Sequence, residues 1–378
     1  MTSQRKPKFH PLLDAPLSTV ARLAMLPIGV MGYERAMRAA DALNRVYVKV
    51  DRKHYKRALA NLRDAFPQWS DDQVHACAVG CHRHLLQLGV EFVYTPRLLT
   101  RDAMQRHMLF TDMAPVLASM LRDRPTILIT GHIGNWEMVG YAVSMLGFEM
   151  CAVYRPLDLR GMDRWIKNSR ESKGLRLMSK FGAARGVPEA MQAGFPVALV
   201  ADQSGGDRGV FTPFFGRLTS TYKMIGLLAM RFGATITCGV ARRLEPGDVT
   251  PGGPWESTLM AHREVARLED PRNDLRYAVE ATDTFGPEDW QGQPDPLYYI
   301  TARYRRAMEN MIRRAPSQYF WMHRIWRSRP AHERMQKPFP DSLRAKMAAL
   351  PWMTSEDVAA VVDRSERDAK DITRLQRA

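Results

Sequence analysis

Residues 130–137 read Thr-Gly-His-Ile-Gly-Asn-Trp-Glu, placing the imidazole of His132 five positions ahead of the carboxylate of Glu137. A carboxylate that holds one imidazole nitrogen fixes the tautomer and raises the basicity of the other, which makes a general base for a hydroxyl. On one continuous helix the two side chains would stand about 140° apart at 3.6 residues per turn. They meet only if His132 precedes a helix and Glu137 lies in its first turns, and Gly131 and Gly134 permit that bend.

The segment ahead of this pair must therefore end at His132, and the one after it must be helical. TILIT (126–130) is a short β-branched run, and ligands of open α/β sheets bind beyond the carboxyl ends of such strands. Further strands are predicted at 148–154, 175–178, 196–202, 234–241 and 275–282, with helical stretches between most of them. This alternation predicts an α/β fold, a mostly parallel central sheet flanked by helices. Residues 17–100 read as mainly helical. One helix opens at the cap Ser70 and ends at Pro96. The expected organisation is an N-terminal helical, membrane-associating region over 1–100, an α/β domain over 101–330 with an exposed insertion near 245–274, and a helical tail over 331–378.

Composition narrows the class of partner. The 378 residues carry 55 Lys+Arg against 40 Asp+Glu, a net charge of +15, and such a chain is expected to meet an anionic partner. Residues 1–10 read as a basic tail with no signal-peptide pattern behind it. The apolar run Leu23–Tyr33 is interrupted by Pro27 and is shorter than the roughly 20 residues a bilayer span needs. It suits the membrane interface instead. Four cysteines suggest no disulfide framework and a reducing compartment. Cys77, Cys81 and His84 share one helical face, but buried cysteines on a core stripe explain that spacing without a metal. There is no P-loop, G-x-S-x-G elbow or H-E-x-x-H motif.

GHIGNWE matches the H-x4-D/E motif of glycerolipid-type acyltransferases, and its surroundings resemble the late acyltransferases of bacterial lipid A biosynthesis. Val153-Tyr154-Arg155-Pro156, Arg170-Glu171-Ser172-Lys173-Gly174, Asp202-Gln203, Gly209–Gly216 (GVFTPFFG), Ala229–Ala234 (AMRFGA) and Pro316–Arg324 (PSQYFWMHR) resemble further blocks of that family in the same order, as does Asn61–Pro67 near the N-terminus. The resemblance covers about residues 20–330. It implies transfer of a fatty acyl chain from an acyl-carrier-protein thioester, or from acyl-CoA, to a hydroxyl of a phosphorylated glycolipid such as a lipid A precursor. The place implied is the cytoplasmic face of the bacterial inner membrane, held peripherally or monotopically against an anionic lipid surface. No cofactor and no metal are required. His132 is expected as the base and Glu137 as the group that orients it.

Substrate contacts are expected from Asn135, Arg155, Arg170, Asp202 and Gln203. Arg155 follows a strand and suits a phosphate or an oxyanion, whereas Arg170 sits in a basic run of the kind that is ordinarily a solvated face. Asp202 and Gln203 end the strand PVALVAD and either position substrate or hold a loop. The Phe211–Phe215 aromatics line an acyl-chain pocket or belong to the core. Lys223 is a further candidate for an acidic headgroup, and Trp321 and His323 are expected to be structural. The helix carrying Arg303, Arg305, Arg306, Arg313 and Arg314 reads as a solvated face, open to a membrane or carrier-protein contact, and nucleic acid is disfavoured. Two other readings stay open: an acyltransferase for another glycolipid, such as a phosphatidylinositol mannoside, and a basic binding protein whose His-Glu site is vestigial.

Overall fold

The computed structural model describes residues 11–372 except 112, 123, 173 and 246–274. The basic tail and nearly all of the expected insertion lie outside the described residues. Four helices come first: α1 (Pro11–Val30), α2 (Tyr33–Val50), α3 (Arg52–Ala65) and α4 (Asp71–Leu98). The Ser70 side chain accepts from the Gln73 backbone, and Gln73 returns the bond to the Ser70 N–H, so the cap read at Ser70 opens α4 as a capping box.

Helix α1 corrects one expectation. It continues through Pro16 and Pro27 for 20 residues, and Leu13–Val30 is long and apolar enough to cross a membrane by length and composition. The apolar stretch is longer than Leu23–Tyr33 because helical continuity joins it to Leu13, Leu17 and Val20, all exposed. The acidic side chain of Asp14 turns inward and accepts from the Arg160 and Gly161 backbone N–H groups at 2.7 and 2.9 Å.

The helices lead through α5 (Met104–His107) into β1 (Met108–Thr111), α6 (Ala114–Met120), β2 (Thr126–Thr130), α7 (Trp136–Met145), β3 (Met150–Tyr154), α8 (Arg160–Glu171), β4 (Leu175–Ser179), α9 (Ala183–Gln192) and β5 (Val197–Val200). A hairpin of β6 (Val210–Phe214) and β7 (Arg217–Thr221) precedes α10 (Lys223–Phe232), β8 (Thr235–Arg243) and β9 (Tyr277–Phe285). The chain closes with α11 (Pro287–Trp290), α12 (Pro296–Arg314), a 3-10 turn (Pro316–Gln318), α13 (Ala331–Arg334), α14 (Asp341–Ala348) and α15 (Ser355–Lys370).

Seven strands form one sheet in the order β1-β9-β8-β2-β5-β3-β4. All neighbours are parallel except β8 and β9. Strand β2 is buried throughout, as an apolar run with helices on both faces of its sheet must be. The chain leaves β2 towards β3 and β4, returns to fill the place beside β2 with β5, and then crosses to β8 on the other side. The order reverses there, and such a reversal opens a crevice at the strand ends.

The hairpin β6–β7 was not legible as strands. Its two-residue turn, Phe215-Gly216, has φ of 53° and 65°, the pair of positive values that a type I′ turn needs. Phe214 and Phe215 are buried in the main core with Phe66 and Trp321, so this loop is core and not an acyl-chain lining. The arginines of the basic helix form a solvated face only at Arg306, Arg313 and Arg314. In α12 Arg305 is fully buried, Arg303 pairs with Asp283 and Asp289, and Arg313 and Arg314 pair with Glu309 and Glu280. The C-terminal helices fold back through Arg217, which binds Asp368 and Asp64 at 2.6 and 2.7 Å.

Candidate active site

The β2–β5 register sets Thr130 opposite Val200, and the Ala201 N–H donates to the Thr130 carbonyl at 2.9 Å. The residues just past the two strands are therefore neighbours although 70 positions separate them. His132 Nδ1 lies 2.8 Å from Asp202 Oδ1. Gly131 makes room for this: a Cβ there would stand 3.2 Å from the Cβ of Asp202.

The carboxylate in contact with His132 is thus Asp202 and not Glu137. Glu137 does sit in the first turn of α7, as its spacing required. Its two oxygens are taken by Arg170 in a bidentate pair, Nε to Oε2 at 2.7 Å. That geometry is strong and directional, and it ties α7 to α8. Arg170 is accordingly a partner of Glu137, not a solvated residue. Arg155 and Gln203 lie exposed just past β3 and β5, and Lys223 is exposed at the start of α10. Asn135 is buried and spends both ends of its amide on the protein: Oδ1 accepts from the Glu137 N–H at 3.2 Å, and Nδ2 donates to Glu91 at 3.1 Å.

The loop carrying His132 is clamped from two sides. The Phe320 N–H donates to the His132 carbonyl and the Gly134 N–H to the Gln318 carbonyl, both at 3.0 Å, while the Asn135 N–H reaches the Ala241 carbonyl at 2.8 Å. Gly134 has φ of 54°, and a Cβ there would run into the Ala241 carbonyl. The Pro316–Arg324 block therefore braces the loop that carries His132. It also supplies His323, whose ring centroid lies 4.9 Å from that of His132. Trp321 is buried in the core, whereas the His323 ring stands against that of His132.

Beneath the loop a buried network centres on Glu91. Arg243 Nε donates to Glu91 at 2.9 Å, Tyr33 and Tyr277 donate their hydroxyls to the same carboxylate, and Asn135 completes it. Truncating one member of a buried ion pair leaves the other charge uncompensated. Glu91→Ala should lower folding stability by about 3–5 kcal/mol, read by denaturant unfolding in detergent. A loss below about 1 kcal/mol, the range of exposed pairs, would show that Arg243 does not depend on Glu91.

Electrostatics follow from this packing. Burial opposes protonation of His132, but the adjacent Asp202 carboxylate outweighs it, with a smaller push from Glu137, and raises the imidazole above its ordinary 6.5. Burial likewise opposes ionisation of Asp202, yet the charges of His132, His323 and Arg305 hold its carboxyl well below the usual range. Burial pushes His323 down to about 4, so it is neutral at pH 7. A raised imidazole held by an ionised carboxylate is what a general base requires. His132, Asp202 and His323 bring one donor atom each within 4.8 Å of one another, and no fourth joins them among the described residues. On the Cys77–Cys81–His84 face, His84 spends both ring nitrogens on the Gly134 carbonyl and Arg243.

A cavity of about 160 Å³ is lined by Leu88, Phe92, Trp136, Tyr141 and Ile166, with the Glu137–Arg170 pair in its wall, and the Trp136 ring lies 4.9 Å from that of His132. A largely apolar pocket of this kind suits a substrate with a hydrocarbon part.

A family model described as bacterial lipid A biosynthesis acyltransferase matches residues 6–328. A lipid A biosynthesis palmitoleoyltransferase of Escherichia coli (strain K12) is 23% identical over 218 residues, covering 57% of this chain and 60% of the relative. A lipid A biosynthesis acyltransferase of Shigella flexneri matches to the same extent. The aligned part thus spans about 60% of the length of these relatives. With 323 of its 378 residues under that model, and with the strand-end histidine and the buried carboxylate lying inside the matched range, the chain belongs to the bacterial lipid A biosynthesis acyltransferase family.

Proposed function

We propose that this protein transfers a fatty acyl chain from a thioester to a hydroxyl of a lipid A precursor. The observation that carries the reading is the His132–Asp202 contact at the switch point of the sheet. His132 Nε2 removes the proton from the acceptor hydroxyl, and Asp202 stabilises the imidazolium that forms. The alkoxide oxygen attacks the thioester carbonyl, and a C–O bond forms. The C–S bond then breaks, the carbonyl is restored, and the leaving thiolate takes the proton from His132. No covalent intermediate on the protein is needed. The acyl chain enters the cavity beside Trp136, and exposed Arg155 and Gln203 at neighbouring strand ends meet the phosphorylated headgroup. Acyl-carrier protein is the donor, with acyl-CoA as the alternative.

The protein works at the cytoplasmic face of the inner membrane; the exposed leucines and valines of α1 support attachment to a bilayer, and a basic protein gains about 1 kcal/mol per Lys or Arg close to an anionic lipid surface. Incubating the protein in detergent with a lipid A precursor and labelled acyl-carrier protein or acyl-CoA tests the reading. Labelled, acylated precursor is the expected product. Thioester loss without acylated precursor would overturn the acceptor, and thioester left intact with both donors would overturn acyl transfer.

A further inference from the structure

Helix α12 carries five arginines, and Arg305 differs from the other four. Arg303, Arg313 and Arg314 are held by carboxylates, and Arg306 lies over the exposed side of Trp352. Arg305 is fully buried, yet among the described residues no carboxylate binds it directly. Its Nη1 donates to the Asp202 carbonyl at 2.7 Å, while Nε and Nη2 meet no hydrogen-bonding group among the described residues. The guanidinium lies 3.9 Å from the centroid of the Phe214 ring, a cation–π contact in a dry setting. A buried charge of this kind is costly unless an opposite charge faces it.

We propose that Arg305 is a positioning residue for the His132–Asp202 pair: it clamps the main chain that carries Asp202 and sets a fixed positive charge behind that carboxylate. The inference rests on the reading of His132 as the base. It also gives the GVFTPFFG hairpin a part in the site, because Phe214 is the platform on which the guanidinium lies. The pair is faced from the Pro316–Arg324 block by His323 and Tyr319, from the start of α10 by Tyr222, and from α7 by Glu137. His323 is neutral at pH 7, and the two tyrosines are pushed up by burial and by Asp202. Arg305 is therefore the fixed cation on the Asp202 side, while on the other side the Glu137 carboxylate is paired with Arg170. The working state of the pair, neutral imidazole beside an ionised carboxylate, has a net charge of −1. Protonation makes it neutral. A nearby positive charge favours the −1 state, so its loss should let the pair hold its proton to higher pH.

Diethyl pyrocarbonate acylates neutral imidazole, and the peptide carrying His132 can be followed by mass spectrometry on the full-length protein without any transfer assay. In Arg305→Met the midpoint of His132 modification should move up by about one pH unit, roughly tenfold less neutral imidazole at a given pH below it. Arg305→Lys, which keeps the charge, should hold the midpoint within about a third of a unit. A folded Arg305→Met with an unmoved midpoint overturns the proposal. A shift in Arg305→Lys as large as in Arg305→Met overturns it too, because charge would not be the agent. If Arg305→Met does not fold, Arg305→Gln, which can still donate to the Asp202 carbonyl, is read in the same way. A protein that transfers no acyl group but shows the shift would sink the proposed function and leave this assignment standing.

Discussion

With His132 replaced by alanine, acyl transfer should fall by about 10³-fold, within the 10²–10⁴ range of a positioned general base. The loop itself should survive, because its bonds to Phe320, Gln318 and Ala241 run through the main chain and Gly134. What the alanine leaves behind is the Asp202 carboxylate, 1% exposed and facing Arg305. His132→Gln is the cleaner partner variant, since its amide can donate to Asp202 but cannot take a proton from a hydroxyl. Both variants should melt cooperatively and both should lose transfer from the labelled thioester. If His132→Gln kept more than a tenth of the wild-type rate, proton removal by the ring would not be the chemistry. The same loss appears without mutation on acidification. His132 is raised above 6.5, so transfer falls as pH drops through that raised value and the base becomes imidazolium.

How much of this was legible in the sequence depends on range. TILIT and PVALVAD were readable as buried strands because they are short, apolar and flanked by turn residues. The need for Glu137 to sit in the first turn of a helix after His132 followed from the helical repeat, and α7 begins at Trp136. That Asp202 is the carboxylate in contact with His132 did not follow. It depends on which strand lies beside β2, and β5 occupies that place only because the chain passes through β3 and β4 first. Asp202 was noticed as a strand-end residue, and the combination of two apolar strands each ending in a polar residue was the signal available. His323 and Arg305 were hidden for a related reason. Each sits in a basic or aromatic segment whose ordinary meaning is a solvated face or core, and only packing separates Arg305 from its neighbours Arg303 and Arg306. The β6–β7 hairpin was missed because its turn uses Phe215 at positive φ, a residue that rarely signals a turn.

The sharpest discrimination lies between the two carboxylates, because one binds the imidazole and the other binds Arg170. Asp202→Asn should lower transfer by about 10²-fold or more, in the range of general-base effects, since the amide neither fixes the imidazole tautomer nor stabilises the imidazolium. It should also move the acid limb of the pH–rate profile downward. Asp202 is the largest of the influences that raise His132, so removing its charge lets the imidazole lose its proton at lower pH. Glu137→Gln leaves the 2.8 Å His132–Asp202 contact in place and removes a smaller contribution. Its acid limb should move less in the same direction. Its main defect should be a looser α7–α8 contact around the cavity, seen as a rise in KM for the acyl donor. The two effects have different signatures, one in kcat with a shifted limb and one in KM. A Glu137→Gln protein with the larger kcat loss and the larger shift would return the orienting role to Glu137. It would mean that Asp202 holds the ring only until substrate arrives.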